Sequence, residues 1–172
     1  MTPRRNLERK FRCPDLGAVR AALPALATRR EGVQLQTDTY FHCRAGRLKL
    51  REIDGEPAVL IGYDRPDAAA AKLSAYHLVP VADAAALRAA LTAALGTRGV
   101  VRKRREIHHW RNVRIHLDEV EGLGSFVEFE AVLPAQDDGT AAQADLEMLR
   151  RALGLAGAEE LAASYADLLR LE

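Results

Sequence analysis

The sequence predicts an α+β fold, an eight-stranded antiparallel β-barrel or tunnel with a charged interior and α-helices packed on the outside. Three observations lead there. Apolar and polar residues alternate in eight separate stretches, glycine- and proline-bearing turns join several of them, and a few alanine- and leucine-rich stretches repeat at helical spacing instead. A chain of 172 residues with 48% apolar content suits one domain, residues 1 to 172, with a core of its own.

The strands are expected near residues 5–12, 33–43, 46–54, 57–65, 72–80, 99–109, 111–119 and 125–132. "CRAG" and "IDGEP" carry the residues that tight connections need, and "EGLG" separates the last two strands. Successive hairpins make the sheet antiparallel. Four helices fit around it. Asp15 caps "PDLGAVRAAL", which places Leu16, Val19, Leu23 and Leu26 on one side. Asp83 caps "ADAAALRAALTAALG", with Leu87, Leu91 and Leu95 as a stripe and Gly96 as the stop. A capping box of Thr140 and Gln143 opens "TAAQADLEMLRRALG", and "AEELAASYADLLRL" forms the last helix. "LPAQDDG" is read as an exposed connection, and the "HHWRN" hairpin is shaped by Trp110 and Asn112.

A formal net charge of +1 argues against non-specific attraction to nucleic acid or to an anionic membrane, and no apolar run reaches membrane-spanning length. Cys13 and Cys43 lack metal-type spacing and no hydrophobic leader follows Arg4 and Arg5, so the expected compartment is the cytoplasm. The expected partner is a small molecule, with the protein a monomer or homodimer.

The charges fall on one parity. In "FVEFEAVL", Glu128 and Glu130 project together while Val127, Phe129 and Ala131 project the other way. Asn6, Glu8 and Lys10 oppose Leu7 and Phe11, with Arg9 interrupting the apolar side. Arg47, Lys49 and Arg51 oppose Leu48 and Leu50, Lys103 and Arg105 share a face with Val101, and Arg114, His116 and Asp118 oppose Val113, Ile115 and Leu117. Helices are the elements available to cover the apolar parity, and closing the sheet removes its edges, which turns the charged parity inward.

Such a bore needs a neutralising ligand. Two like charges 4 Å apart repel by about 4 kcal/mol at an effective dielectric near 20. Lys10, Lys49, Arg51, Arg65, Lys103, Arg105 and Arg114 around one cavity therefore imply a multivalent anion, and phosphate chains suit guanidinium forks and ammonium groups. Glu8, Asp118, Glu128 and Glu130 would repel that anion unless a hard cation, Mg²⁺ or Mn²⁺, stood between carboxylate and phosphate oxygens. His108, His109 and His116 form no ligand triad, which argues against zinc. Cys13 and Cys43 are read as bystander thiols, Tyr165 as core or tunnel-mouth packing, and Arg170 as a solvated helix end.

The stretches "NLERK", "GRLKLRE", "VRKRRE", "RIHLDEVEGLGSFVEFE" and "SYADLL" resemble the CYTH domains, or triphosphate tunnel metalloenzymes, which include class IV adenylyl cyclases, thiamine triphosphatases and inorganic triphosphatases. The resemblance covers nearly the whole chain, and its fourth stretch is the most specific. The family pattern Glu-x-Glu-x-Lys is met by Glu8 and Lys10 at its second and third positions. Asn6 stands at the first, keeping an oxygen and removing a charge. The resemblance implies Lys49, Arg51, Lys103 and Arg105 as phosphate-binding bases and Asp118, Glu128 and Glu130 as metal-binding acids, with Glu8 assisting. Arg65 lies one place beyond a lysine that many relatives carry, and Lys72 is the other candidate for that role.

The expected activity is metal-assisted hydrolysis of tripolyphosphate, thiamine triphosphate or a nucleoside triphosphate such as ATP, with Glu8, Lys10 and Asp118 as catalytic residues. The alternatives are cyclisation of ATP to cyclic AMP and pyrophosphate, and a non-catalytic polyphosphate or nucleotide-binding module.

Overall fold

Period-two alternation builds the sheet. A computed structural model describes residues 4–64, 72–134 and 137–171, and its strands are β1 (Arg4–Arg12), β2 (Arg29–Phe41), β3 (Arg47–Ile53), β4 (Ala58–Asp64), β5 (Lys72–Val81), β6 (Thr97–Trp110), β7 (Val113–Val120) and β8 (Gly124–Leu133). They close into a barrel in the order β1-β5-β4-β3-β2-β6-β7-β8, every neighbour antiparallel. Closure leaves no unpaired edge strand among the described residues. The seam is β1, which pairs with β5 on one side and β8 on the other, setting Glu8 opposite Glu130 and Lys10 opposite Glu128.

Helices cover the apolar parity. Asp15 caps α1 (Leu16–Ala22), a 3₁₀ turn continues it over Leu23–Leu26, and α3 (Thr140–Ala152) packs into the same core cluster. Together they bury Phe11, Ile115, Leu117, Phe129, Leu146 and Leu149 in the largest core cluster. Arg9, the charge on this apolar side, is satisfied there by ion pairs to Glu147 (2.8 Å) and Glu160 (2.7 Å). Across the barrel, Asp83 caps α2 (Ala84–Leu95), whose Leu87 and Leu91 pack on a small cluster of Phe41, Leu50 and Ala58. No residue of α2 is itself buried and Leu95 is 40% exposed, so its leucine stripe is only half used. No helix among the described residues is long and apolar enough to cross a membrane.

Two helix starts differ from expectation. α3 has no Thr140–Gln143 box: Gly139, at φ 80°, takes the cap position, and the Asp137 and Asp138 side chains accept from the Gly139 and Thr140 amides. The last helix, α4 (Tyr165–Leu168), is one turn long. Residues before it pair with β1 instead, the Arg12 amide donating to Glu159 and the Leu161 amide to the Lys10 carbonyl. Backbone groups already spent on a strand cannot make a helix. Ser164 and Asp167 then form a capping box that starts α4.

Candidate functional site

The charged parity of the strands lines one cavity of about 360 Å³. Its basic sector comes from β2, β3 and β6. Register sets Arg51 opposite Asp38 on β2 and Lys103 opposite Gln36 beside it. Asp38 is 1% exposed and accepts from Lys49 (3.0 Å), Lys103 (2.9 Å) and twice from Arg51 (2.7 and 2.8 Å). Burial opposes its ionisation, but Arg51, Lys103 and Lys49 outweigh that and hold it well below the usual carboxylate range. The cations bear the cost. Burial, joined by the charge of Arg51, brings Lys49 down to about 8, and burial, with Arg51 and Arg105 adding to it against Asp38, brings Lys103 down to about 7.

The acidic sector comes from β1, β7 and β8. Glu128 accepts from Arg105 (2.6 Å), with Lys10 Nζ at 3.4 Å and His116 Nδ1 at 3.5 Å. Burial opposes the Glu128 charge, yet Lys10 and Arg105 keep its pKa well below normal. Glu130 lies 3.0 Å from Arg114 Nε and accepts from the Asn6 amide. Asp118, fully buried, is gripped by the Arg105 fork (2.7 and 2.6 Å) and by the Tyr165 hydroxyl (2.7 Å). Ile61 and Tyr63 of β4 and Tyr76 and Leu78 of β5 give the cavity an uncharged wall. Toward one end the cation series on β3 and β6 gives way to Ile53 and Ile107.

A CYTH domain profile matches residues 4–165. The chain belongs to the CYTH domain family. No curated protein matches it. Among solved structures it is similar to the PH1012 protein from Pyrococcus horikoshii OT3, at 23% identity and a TM-score of 0.82, over 95% of this chain and 98% of that one. A provisionally named adenylate cyclase from Vibrio parahaemolyticus follows at 18% identity and 0.75, over 96% and 97%. A chain in the Schizosaccharomyces pombe Mediator head module shares the fold at 8% identity and 0.62, over 91% and 97%. At these identities the likeness is one of fold.

For this CYTH domain the residues singled out by parity are mostly brought together. Glu8, Lys10, Lys49, Arg51, Lys103, Arg105, Arg114, Glu128 and Glu130 all line the cavity. Asp118 lies behind it, engaged by Arg105 and Tyr165. Lys72 is in β5 opposite Glu8, its side chain outside the described residues, and Arg65 lies outside them altogether. Cys13 is a buried free thiol and Cys43 an exposed one. Asp38 goes unassigned in the sequence, where His116 and Tyr165 have a face or a packing role but no part in the site. Asp38 is a lone charge in "QLQTDTY", recognisable only because Gln34, Gln36 and Tyr40 share its parity. His116 shows its place only when the ring is seen between Glu128 and Glu130. Tyr165 is core packing on one side and a cavity wall on the other, with Lys10 Nζ 3.9 Å from its ring centre.

CYTH domains are generally dependent on a divalent metal, and the donors here fit one. Glu8, Glu128 and Glu130 supply hard oxygens, and two buried polar atoms beside them, Asn6 Oδ1 and His116 Nδ1, have no hydrogen-bond partner. Among the described residues no three His, Cys, Asp or Glu groups already surround one point. Lys10, Arg105 and Arg114 occupy the oxygens of Glu128 and Glu130 meanwhile.

Proposed function

We propose that this CYTH domain is a divalent-metal-dependent triphosphatase that hydrolyses a triphosphate bound in its basic tunnel. One observation carries the reading: three cations are buried around the single carboxylate of Asp38, and two of them are driven toward neutrality, Lys49 to about 8 and Lys103 to about 7. Positive charge in this sector exceeds the negative charge holding it, and a polyphosphate supplies the difference.

Lys49, Arg51 and Lys103 would exchange part of their hold on Asp38 for phosphate oxygens, with Lys10, Arg105 and Arg114 completing the grip along the chain. Glu128 and Glu130, with Glu8 assisting, would hold Mg²⁺ or Mn²⁺. When bound, that cation neutralises phosphate charge and acidifies a coordinated water. An attacking water would form the new bond to phosphorus as the bond to the leaving phosphate breaks, and Glu8 would accept the proton that water gives up. Lys10 balances the charge that develops. Asp118, with both oxygens engaged, is in the reading proposed here the group that orients Arg105, and it would join the metal only by releasing that fork.

Cyclisation of ATP is the second reading, favoured by the Vibrio parahaemolyticus neighbour's name. A binding module is the third, favoured by Asn6 in place of a charged ligand. The uncharged wall of Ile61, Tyr63, Tyr76 and Leu78 gives room for an organic head, so the substrate panel includes one. The test is to incubate the protein with tripolyphosphate, thiamine triphosphate and ATP, with Mg²⁺ or Mn²⁺, and to separate the products. Orthophosphate supports hydrolysis, cyclic AMP with pyrophosphate supports cyclisation, and unchanged but bound substrate supports the module.

A further inference from the structure

Among the described residues of the acidic sector, His116 and Asn6 each carry a buried polar atom, Nδ1 and Oδ1, that makes no hydrogen bond. His116 is 4% exposed, its Nδ1 is 3.5 Å from Glu128 Oε2 and its Nε2 3.9 Å from Glu130 Oε2, and Nδ1 makes no hydrogen bond. Asn6 is 2% exposed; its Nδ2 must be the atom facing Glu130, because a carboxylate only accepts, and so its orphan Oδ1 is fixed as an acceptor. Buried polar atoms left unsatisfied are destabilising, and a cation among them would remove that cost. Their spacing suits one. Donors on neighbouring corners of an octahedral ion bound at about 2.1 Å lie about 3 Å apart, so the 3.5 Å between Nδ1 and Glu128 Oε2 needs only a small closure.

The other histidines are already employed. His108 sits on the outer side of β6 with Glu106 at 3.1 Å, in a cluster with Arg20 and Arg30. His109 lines the cavity but is hydrogen-bonded to Glu31. His116 alone of the three stands between two carboxylates.

We propose that His116 is a nitrogen ligand of the tunnel cation, with Asn6 Oδ1 beside it, and that it biases the site toward a first-row transition ion such as Mn²⁺ over Mg²⁺. The inference rests on the reading of Glu128 and Glu130 as cation ligands and goes beyond it to which ion they hold. The physical reason is the donor type. An all-oxygen set suits Mg²⁺ as well as Mn²⁺, whereas an imidazole nitrogen gains more from an ion with accessible d orbitals and a weaker hold on its water.

The experiment uses the full chain with Mn²⁺ and Mg²⁺ as probes. Each ion is titrated by calorimetry, and the Mn²⁺ complex is examined by pulsed electron paramagnetic resonance, which reports directly bonded ¹⁴N. The expected result is nitrogen modulation on bound Mn²⁺ that persists in His109→Gln and disappears in His116→Gln. His116→Gln should also lose about 10- to 100-fold in Mn²⁺ affinity, with Mg²⁺ affinity changed far less. Mn²⁺ bound without nitrogen modulation in the unmodified protein overturns the inference alone, whether or not the variant folds. Equal losses for the two ions do the same. If neither ion binds while tripolyphosphate does, the inference fails together with the cation assignment of Glu128 and Glu130, and the anion site stands.

Discussion

The two walls of the tunnel are held in different ways. Behind β1, β7 and β8 lies the large cluster under α1 and α3, in which Phe11, Ile115, Phe129, Leu146 and Leu149 have no solvent exposure. Behind β3 and β4 lies a cluster of three buried residues, Phe41, Leu50 and Ala58, under a helix that buries none of its own. The inner surfaces are more even: on the first side Arg105 ties Asp118 to Glu128, with Lys10 against Glu128 and Arg114 against Glu130. On the second side one carboxylate, Asp38, ties Lys49 and Arg51 of β3 to Lys103 of β6. The acidic wall has hydrocarbon outside as well as charge inside, whereas the β3 side, thinly covered, depends more on the charge around Asp38. A wall whose inner bonds are ionic can exchange them for a ligand's oxygens while its strands stay in register.

Substitutions that separate packing from charge sharpen this contrast. Phe129→Ala should be the most damaging, at about 3–5 kcal/mol by denaturant melting, with Leu50→Ala nearer about 2 because its surroundings are thin. Equal losses would break the comparison. Asp38→Asn should cost about 3 kcal/mol by leaving three buried cations without their counter-charge, and tripolyphosphate should restore much of that, read as a larger ligand-induced rise in Tm than the unmodified protein shows. No extra rise would show that Asp38 does not occupy the anion's place.

Arg51→Ala should weaken tripolyphosphate binding about tenfold or more by calorimetry, while the stability of the ligand-free protein changes by less than about 1 kcal/mol, since Lys49 and Lys103 keep Asp38 paired. pH moves the same wall. Lys103 titrates near 7 and Lys49 near 8 in the fold, both brought down by burial from the ordinary 10.5. Between those values and about 10.5 the unfolded chain therefore binds more protons, so stability rises with pH across that window and is flat in these groups below it. Tripolyphosphate affinity should fall across the same range, as the ammonium groups lose charge. Melting curves and calorimetry from pH 6 to 9 check both directions, and parallel rather than opposed trends would count against the lysines. Leu95→Ser, on the thin cover, should change stability by no more than about 0.5 kcal/mol.

What could be foreseen of this molecule follows how local each signal is. Strand parity is written in every second residue, so Lys10, Lys49, Arg51, Lys103, Arg105, Glu128 and Glu130 could be assigned to one face without knowing the partner strands. Asp38 could not, because a single acid among Gln, Thr and Tyr becomes a hub only when β3 and β6 bring three cations to it. The stretch before α4 has helical composition, yet its backbone bonds to β1 from some 150 positions away override propensity. Gly139 displaced the expected cap of α3 because its φ of 80° and the two preceding aspartates supply the same satisfaction one residue earlier.

The seam at β1 also sets a timetable. The strand that leaves the ribosome first finds one neighbour in β5 and the other only in β8, at separations such as Glu8 to Glu130, and its outer backbone is completed later still by residues 159–161. Closing so long a loop is slow, and until it closes two strand edges remain open to pairing with another chain. During synthesis the charged parity of β1, with Glu8 and Lys10, faces water on an unfinished sheet, and those charges discourage edge-to-edge association over the interval in which the barrel is still a ribbon.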